Sequence, residues 1–247
     1  MLVVVEDGGG LANRLFVFAN VIATALATGH RVLNPAFRGW ADCFEGTAGD
    51  CLAAFPRRRP PLLGGRGAAR IAASVSYRAT RLLAGAPRLG PLRTISLEWP
   101  GRCDLDDPEI VADLKRRRLV LLKGWLLRNP SGVATHAPLL REFFRPVDEV
   151  RREADAALAE ARARGDLLVG VHVRHRDYRS YMDGRFFYPL ATYFELMRSV
   201  AALLRPQRAH DPGGQVLLLL LRNEPEPDVD LVLLRTPDRG HHVVRQA

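Results

Sequence analysis

Residues 2 to 34 read as strand, glycine turn, helix and strand, an order that commits the amino-terminal part of the chain to a βαβ unit. "LVVVE" at 2 to 6 is an apolar run of strand length, and "GGGLAN" at 8 to 13 is the turn behind it. In the following helix Leu15, Phe18, Ala19, Ile22 and Leu26 recur at spacings of three and four, and Gly29 supplies a stop. "HRVLN" then resumes as strand.

The second half repeats the order. In "RPVDEVRREADAALAEARARG" Asp148 can cap a helix and Gly165 can end it. A strand at 167 to 173 follows, then a helix from about Leu190 to Leu204 with Tyr193, Met197, Val200 and Leu204 on one side, then the strand "QVLLLLLR" at 215 to 222. The economical architecture is α/β, with two Rossmann-like domains, 1–147 and 148–247, facing each other across a cleft. Later in the first half, "PRRRPPLLGGRG" at 56 to 67 is a loop by composition, and "KRRRLVLLKGW" at 115 to 125 sets a basic run before another buried strand. The arginine-studded amphipathic stretch "AARIAASVSYRATRLLAG" reads as a solvated helix face in preference to a membrane or acceptor-docking surface.

Composition excludes whole classes. With 47% hydrophobic and 26% charged residues the chain is of ordinary globular type, not disordered. Its 36 Lys and Arg against 27 acidic residues give a formal charge of +9, which favours anionic partners: nucleotide phosphates, nucleic acid or acidic lipid. Cys43, Cys51 and Cys103 form neither a disulfide framework nor a zinc-type spacing, so a reducing cytoplasm is expected. The longest aliphatic run, "VLLLLL", is far short of the roughly 20 residues of a membrane span, and "MLVVVEDGGG" lacks the basic start of a signal peptide. A cytoplasmic protein follows, at most peripheral at the inner face of a membrane.

Two loops carry chemistry. In "GGGLAN", Gly9 and Gly10 let backbone approach a ligand, and the helix N-terminus offers amides to an anion. Asn13 either bonds sugar hydroxyls or caps the helix. The dinucleotide fingerprint is poor, because Asn13 replaces its third glycine. The second loop is "GVHVRHRDY" at 170 to 178, where strand alternation puts His172 and Arg174 on one side and turns Val173 away. Arg174 just past a strand end suits a diphosphate; the alternative is a surface ion pair of Arg174 or Arg176 with Asp177. A basic nucleic-acid-binding protein is disfavoured, since no helix-turn-helix or zinc pattern occurs and the arginine clusters lack interleaved aromatics.

These motifs resemble a family. "GGGLANRLFVFANVIATALATGHRVLNPAF" looks like the amino-terminal motif of bacterial α-1,2-fucosyltransferase-like proteins, and "GVHVRHRDY" with "GRFFYPLATYFELM" is similar to their His-x-Arg-x-Gly-Asp-Tyr segment and its continuation. "LVLLKGWLLRNP" and "HAPLLREFFRP" look like the stretch between, so the likeness covers residues 1 to 227. It implies a GT-B-type glycosyltransferase that transfers fucose from GDP-fucose to a glycan or lipid-linked glycan, inverting and without an obligatory metal or other cofactor. By the same analogy Arg174 contacts phosphate, His172 is its neighbour, and Gly9, Gly10 and Asn13 lie near the donor. A preorganised arginine can stabilise the departing diphosphate. Asp177, or Glu195 if the helix turns it inward, would accept the acceptor's proton.

Arg176 departs from the pattern, standing where the family carries glycine. It would either strain the turn or add a donor-binding cation. After Asp230 nothing resembles the family, so an incomplete second domain and a truncated or frame-shifted transferase of reduced activity are expected. A non-catalytic relative that keeps GDP-sugar binding is the nearest alternative.

Overall fold

The computed structural model describes residues 1–6, 9–58, 66–85, 92–97, 101–164, 167–173, 177–204 and 216–222. The chain divides into two compact units, Met1–Arg151 and Arg152–Ala247.

The first unit is built on a four-stranded parallel sheet. Strand β1 (Leu2–Val4) is followed by helix α1 (Leu11–Thr28) and strand β2 (Val32–Leu33), the βαβ unit expected from sequence. Helix α2 (Arg66–Gly85), strand β3 (Leu92–Ser96), strand β4 (Cys103–Asp104), helix α3 (Pro108–Arg116) and strand β5 (Leu119–Lys123) come next. Strand β6 (Leu127–Arg128) and helices α4 (Pro130–Thr135) and α5 (Ala137–Phe143) complete the unit. The sheet order is β2-β1-β5-β3, and β4 pairs separately with β6, also in parallel.

Alternation along β1 explains why its sequence is apolar at every position. Leu2 and Val4 enter the main core with Phe18 and Ile22 of α1, whereas Val3 and Val5 pack on the other face with Leu121, Leu33 and Ala84 of α2. A parallel strand covered on both faces has no polar side to show.

Helix α1 buries Val17, Phe18, Val21, Ile22 and Ala25, a stripe rotated from the expected one. Leu26 is exposed, and Gly29 ends the helix with a left-handed φ of 71°. Around Phe18 gathers an aromatic cluster drawn from distant sequence: Phe37, Phe143 and Phe144 lie at centroid distances of 5.4, 5.7 and 5.3 Å. Such edge-on pairs add about 0.5 to 1.5 kcal/mol each beyond their burial. α1 is the one described helix long and apolar enough to cross a bilayer, yet it is this unit's core helix.

Helix α6 (Asp148–Arg164) begins at the end of the first unit and runs into the second, where strand β7 (Leu167–Val173), helix α7 (Leu190–Leu204) and strand β8 (Val216–Arg222) follow, all in the expected spans. Asp148 is the first helical residue of α6, where its carboxylate pairs with Arg151. Gly165 lies outside the described residues. β7 and β8 pair in parallel from Leu167 opposite Val216 to Val173 opposite Arg222. Val173 packs on Met197 of α7.

Candidate functional site

In open α/β sheets ligands bind outside the carboxyl ends of the strands. The first unit has a pocket there. Val4 and Glu6 reach it from the end of β1, Arg14 and Val17 from α1, Asn34, Ala36 and Phe37 from the segment after β2, and Gly124 and Trp125 from the segment after β5. The space is about 10 Å³, room for one water or hydroxyl oxygen.

Two features make the pocket polar at its base. Asn34 is 2% exposed, and its side-chain Oδ1 is buried without a hydrogen-bond partner among the described residues. Leaving a buried acceptor unmet costs roughly 1 to 3 kcal/mol, which a donor on a ligand would recover. Glu6 also lines the pocket and adds acceptor oxygens. Lined by a carboxyl, an amide and the Arg14 guanidinium, the pocket suits a small group that both donates and accepts, such as a hydroxyl.

Arg14 ties the pocket to the glycine loop, its Nε donating to the Gly9 carbonyl at 3.1 Å and its NH1 to the Ala36 carbonyl at 2.9 Å. Gly9 has a φ of 76°, and a Cβ there would sit 2.4 Å from the Asn13 amide nitrogen. Only glycine meets both conditions. Asn13 is not the helix cap: Gly10 holds that position with no side-chain bond, and Asn13 stands in the first turn. Among the described residues no side chain caps the first-turn amides, the groups that an anion can bind.

Electropositive groups border this end of the sheet. The Arg128 guanidinium lies 5.7 Å from the Trp125 ring centroid, and burial, then the nearby Arg102, draw its pKa below the ordinary arginine value. The three cysteines are free, and burial, then adjacent carboxylates, push all three thiols above their usual range. Such thiols are poor nucleophiles at neutral pH. Among the described residues no group of three His, Cys, Asp or Glu side chains could hold a metal.

The second expected loop is only partly described. Arg174, His175 and Arg176 lie outside the described residues. His172 is described as a backbone position on β7 opposite Leu221, and Asp177 as the start of a short 3-10 turn, Asp177–Arg179. Immediately beyond, Tyr178 and Tyr181 stack at 5.5 Å, Arg179 lies over Phe187 at 5.3 Å, and Arg185 over Phe186 at 5.8 Å. Arginines and aromatics do interleave here, contrary to the sequence-based expectation. Met182 and Asp183 take positive φ angles of 48° and 56°, a left-handed kink. Strain of this kind, of order 1 to 3 kcal/mol per residue, gathers at functional sites.

Glu6, Arg14, Asn34 and Trp125 were not singled out from sequence. Their signal is the one applied to the later loop: Glu6, Asn34 and Trp125 follow closely on buried strand runs, where side chains meet at a sheet's carboxyl edge. No protein-family model matches the chain, and no curated protein matches it.

Proposed function

We propose that the chain is a GDP-sugar-dependent glycosyltransferase that moves fucose from GDP-fucose to a glycan hydroxyl, with two Rossmann-like domains enclosing the reaction. The observation that carries this reading is the pocket at the carboxyl ends of β1, β2 and β5, where the buried, unpartnered Asn34 Oδ1, Glu6 and Arg14 suit a hydroxyl group. The glycine loop with Asn13 in the adjoining first turn, and the sequence resemblance, support it.

In this scheme the first unit takes the acceptor, and Arg174 stabilises the negative charge that develops on the departing diphosphate. The aromatic and arginine cluster at Tyr178, Tyr181 and Phe186 favours a nucleotide ligand, since a purine ring stacks on such faces. Asp177 is the proposed base for the acceptor proton. Arg176 in place of glycine favours a second reading, a relative that binds GDP-sugar without transfer.

Calorimetry with GDP, GDP-fucose and GDP-mannose tests the donor class without an acceptor. Binding of GDP, weakened on the order of a hundredfold in Arg174→Ala, is the expected result. Absence of GDP binding in the folded protein overturns both readings. GDP-fucose binding without hydrolysis or transfer selects the second.

A further inference from the structure

Helix α2 has three sides. Ala73 and Tyr77 are buried against the first unit and fix the helix in place. A second side is apolar and uncovered: Ile71, Val75 and Leu82 are 67, 60 and 77% exposed. At the roughly 100° per residue of an α-helix, Ile71, Val75 and Leu82 fall within about 40° of one another, a single ridge along the helix. The third side, between the ridge and the core, is basic. Arg78 and Arg81 share a groove of about 600 Å³ with Arg38, Ser74, Tyr77 and Leu82, and the Arg38 guanidinium covers the Tyr77 ring at 3.8 Å. The helix contains no acidic residue. The exposed arginines Arg57 and Arg58 carry the same charge at the end of the preceding described segment.

A solvated helix face needs no ridge of isoleucine, valine and leucine in water, and exposed apolar side chains gathered on one line mark a contact surface. Charge decides the occupant. An apolar ridge bordered by arginines, on a helix without carboxylates, matches the boundary of an anionic bilayer, where phosphates meet acyl chains. We propose that α2 docks the protein on an anionic membrane surface, with Ile71, Val75 and Leu82 inserted among the acyl chains and Arg38, Arg78 and Arg81 on lipid phosphates. This inference is independent of the proposed chemistry, since it uses neither the pocket nor the donor loop.

Flotation of the full chain with equimolar phosphatidylcholine and phosphatidylglycerol vesicles tests it. The expected result is binding at low salt that weakens as salt rises, with none to phosphatidylcholine alone. Leu82→Glu, on a side chain that touches little protein, should lower partition roughly tenfold or more with unchanged circular dichroism. Arg78→Glu should lower it at least fivefold, the contribution of about one arginine near an anionic surface. Failure of the wild-type chain to float at low salt overturns the proposal. So does flotation that Leu82→Glu leaves intact, because that would be charge adsorption without insertion. Sedimentation runs beside it: a dimer abolished by Leu82→Glu, with no vesicle binding, would assign the ridge to a second copy of the chain.

Discussion

Asn129 joins three pieces of the first unit through one buried amide. Its backbone N–H donates to the Asn20 Oδ1, its Nδ2 donates to the Thr24 hydroxyl at 2.9 Å, and its Oδ1 accepts from the Gly132 N–H at 2.8 Å, capping α4. Asn20, Thr24 and Asn129 are all nearly inaccessible, at 5, 0 and 2%. Asn129→Ala removes the cap and leaves the Thr24 hydroxyl without its donor, so a loss of about 2 to 3 kcal/mol is expected in denaturant unfolding. A loss under about 0.5 kcal/mol would mean that water replaces the amide at no cost. The network was not legible in the sequence, because Asn20 and Thr24 look like ordinary polar interruptions of a helix and their partner lies 109 residues away from Asn20. Gly9 and Gly10 were legible as a turn at a helix start, whereas the role of Asn13 was not. Whether an asparagine caps a helix depends on where the first turn begins, and here it begins at Leu11.

Among the elements, those with long apolar runs were read correctly. β1, α1, β5, β7, α7 and β8 each declare themselves by strand-length hydrophobicity or a three-and-four spacing. β3, "LRTIS", was missed because it carries an arginine, a threonine and a serine among five residues. α3 was missed as well, although Asp107 and Pro108 spell a helix start. The Asp107 side chain accepts from the Glu109 and Ile110 N–H groups, and Lys115 and Arg116 suit the other end of the dipole. Asp107→Ala should therefore lower stability by about 1 kcal/mol, roughly 2 to 4 °C in melting temperature for a chain of this size, and Asp107→Asn by much less. Equal losses for both would assign the effect to charge and not to the cap. The basic side of α2 was visible in the sequence, but its ridge was not, since periodicity cannot tell which of two apolar sides meets the core.

For the molecule as a whole, the sequence gives two α/β halves and the structure two compact units, the division falling near the start of α6. The main core belongs to the first unit, where sheet, α1 and the phenylalanine cluster share side chains. Within that unit Arg14 has a role larger than its two bonds. The loops at Gly9 and Ala36 leave different strands, yet both carbonyls are held by one guanidinium, so neither loop lifts without releasing the shared fork. Amide hydrogen exchange should then report one opening event at both places, with protection factors that rise and fall together. Arg14→Lys keeps the charge and loses the fork, and the two loops should begin to exchange at separate rates. Independent exchange already present in the wild-type chain would mean that the loops move separately. If they move together, a ligand that settles on one strand end tightens its neighbour as well, and the site closes as a clasp with a single hinge pin.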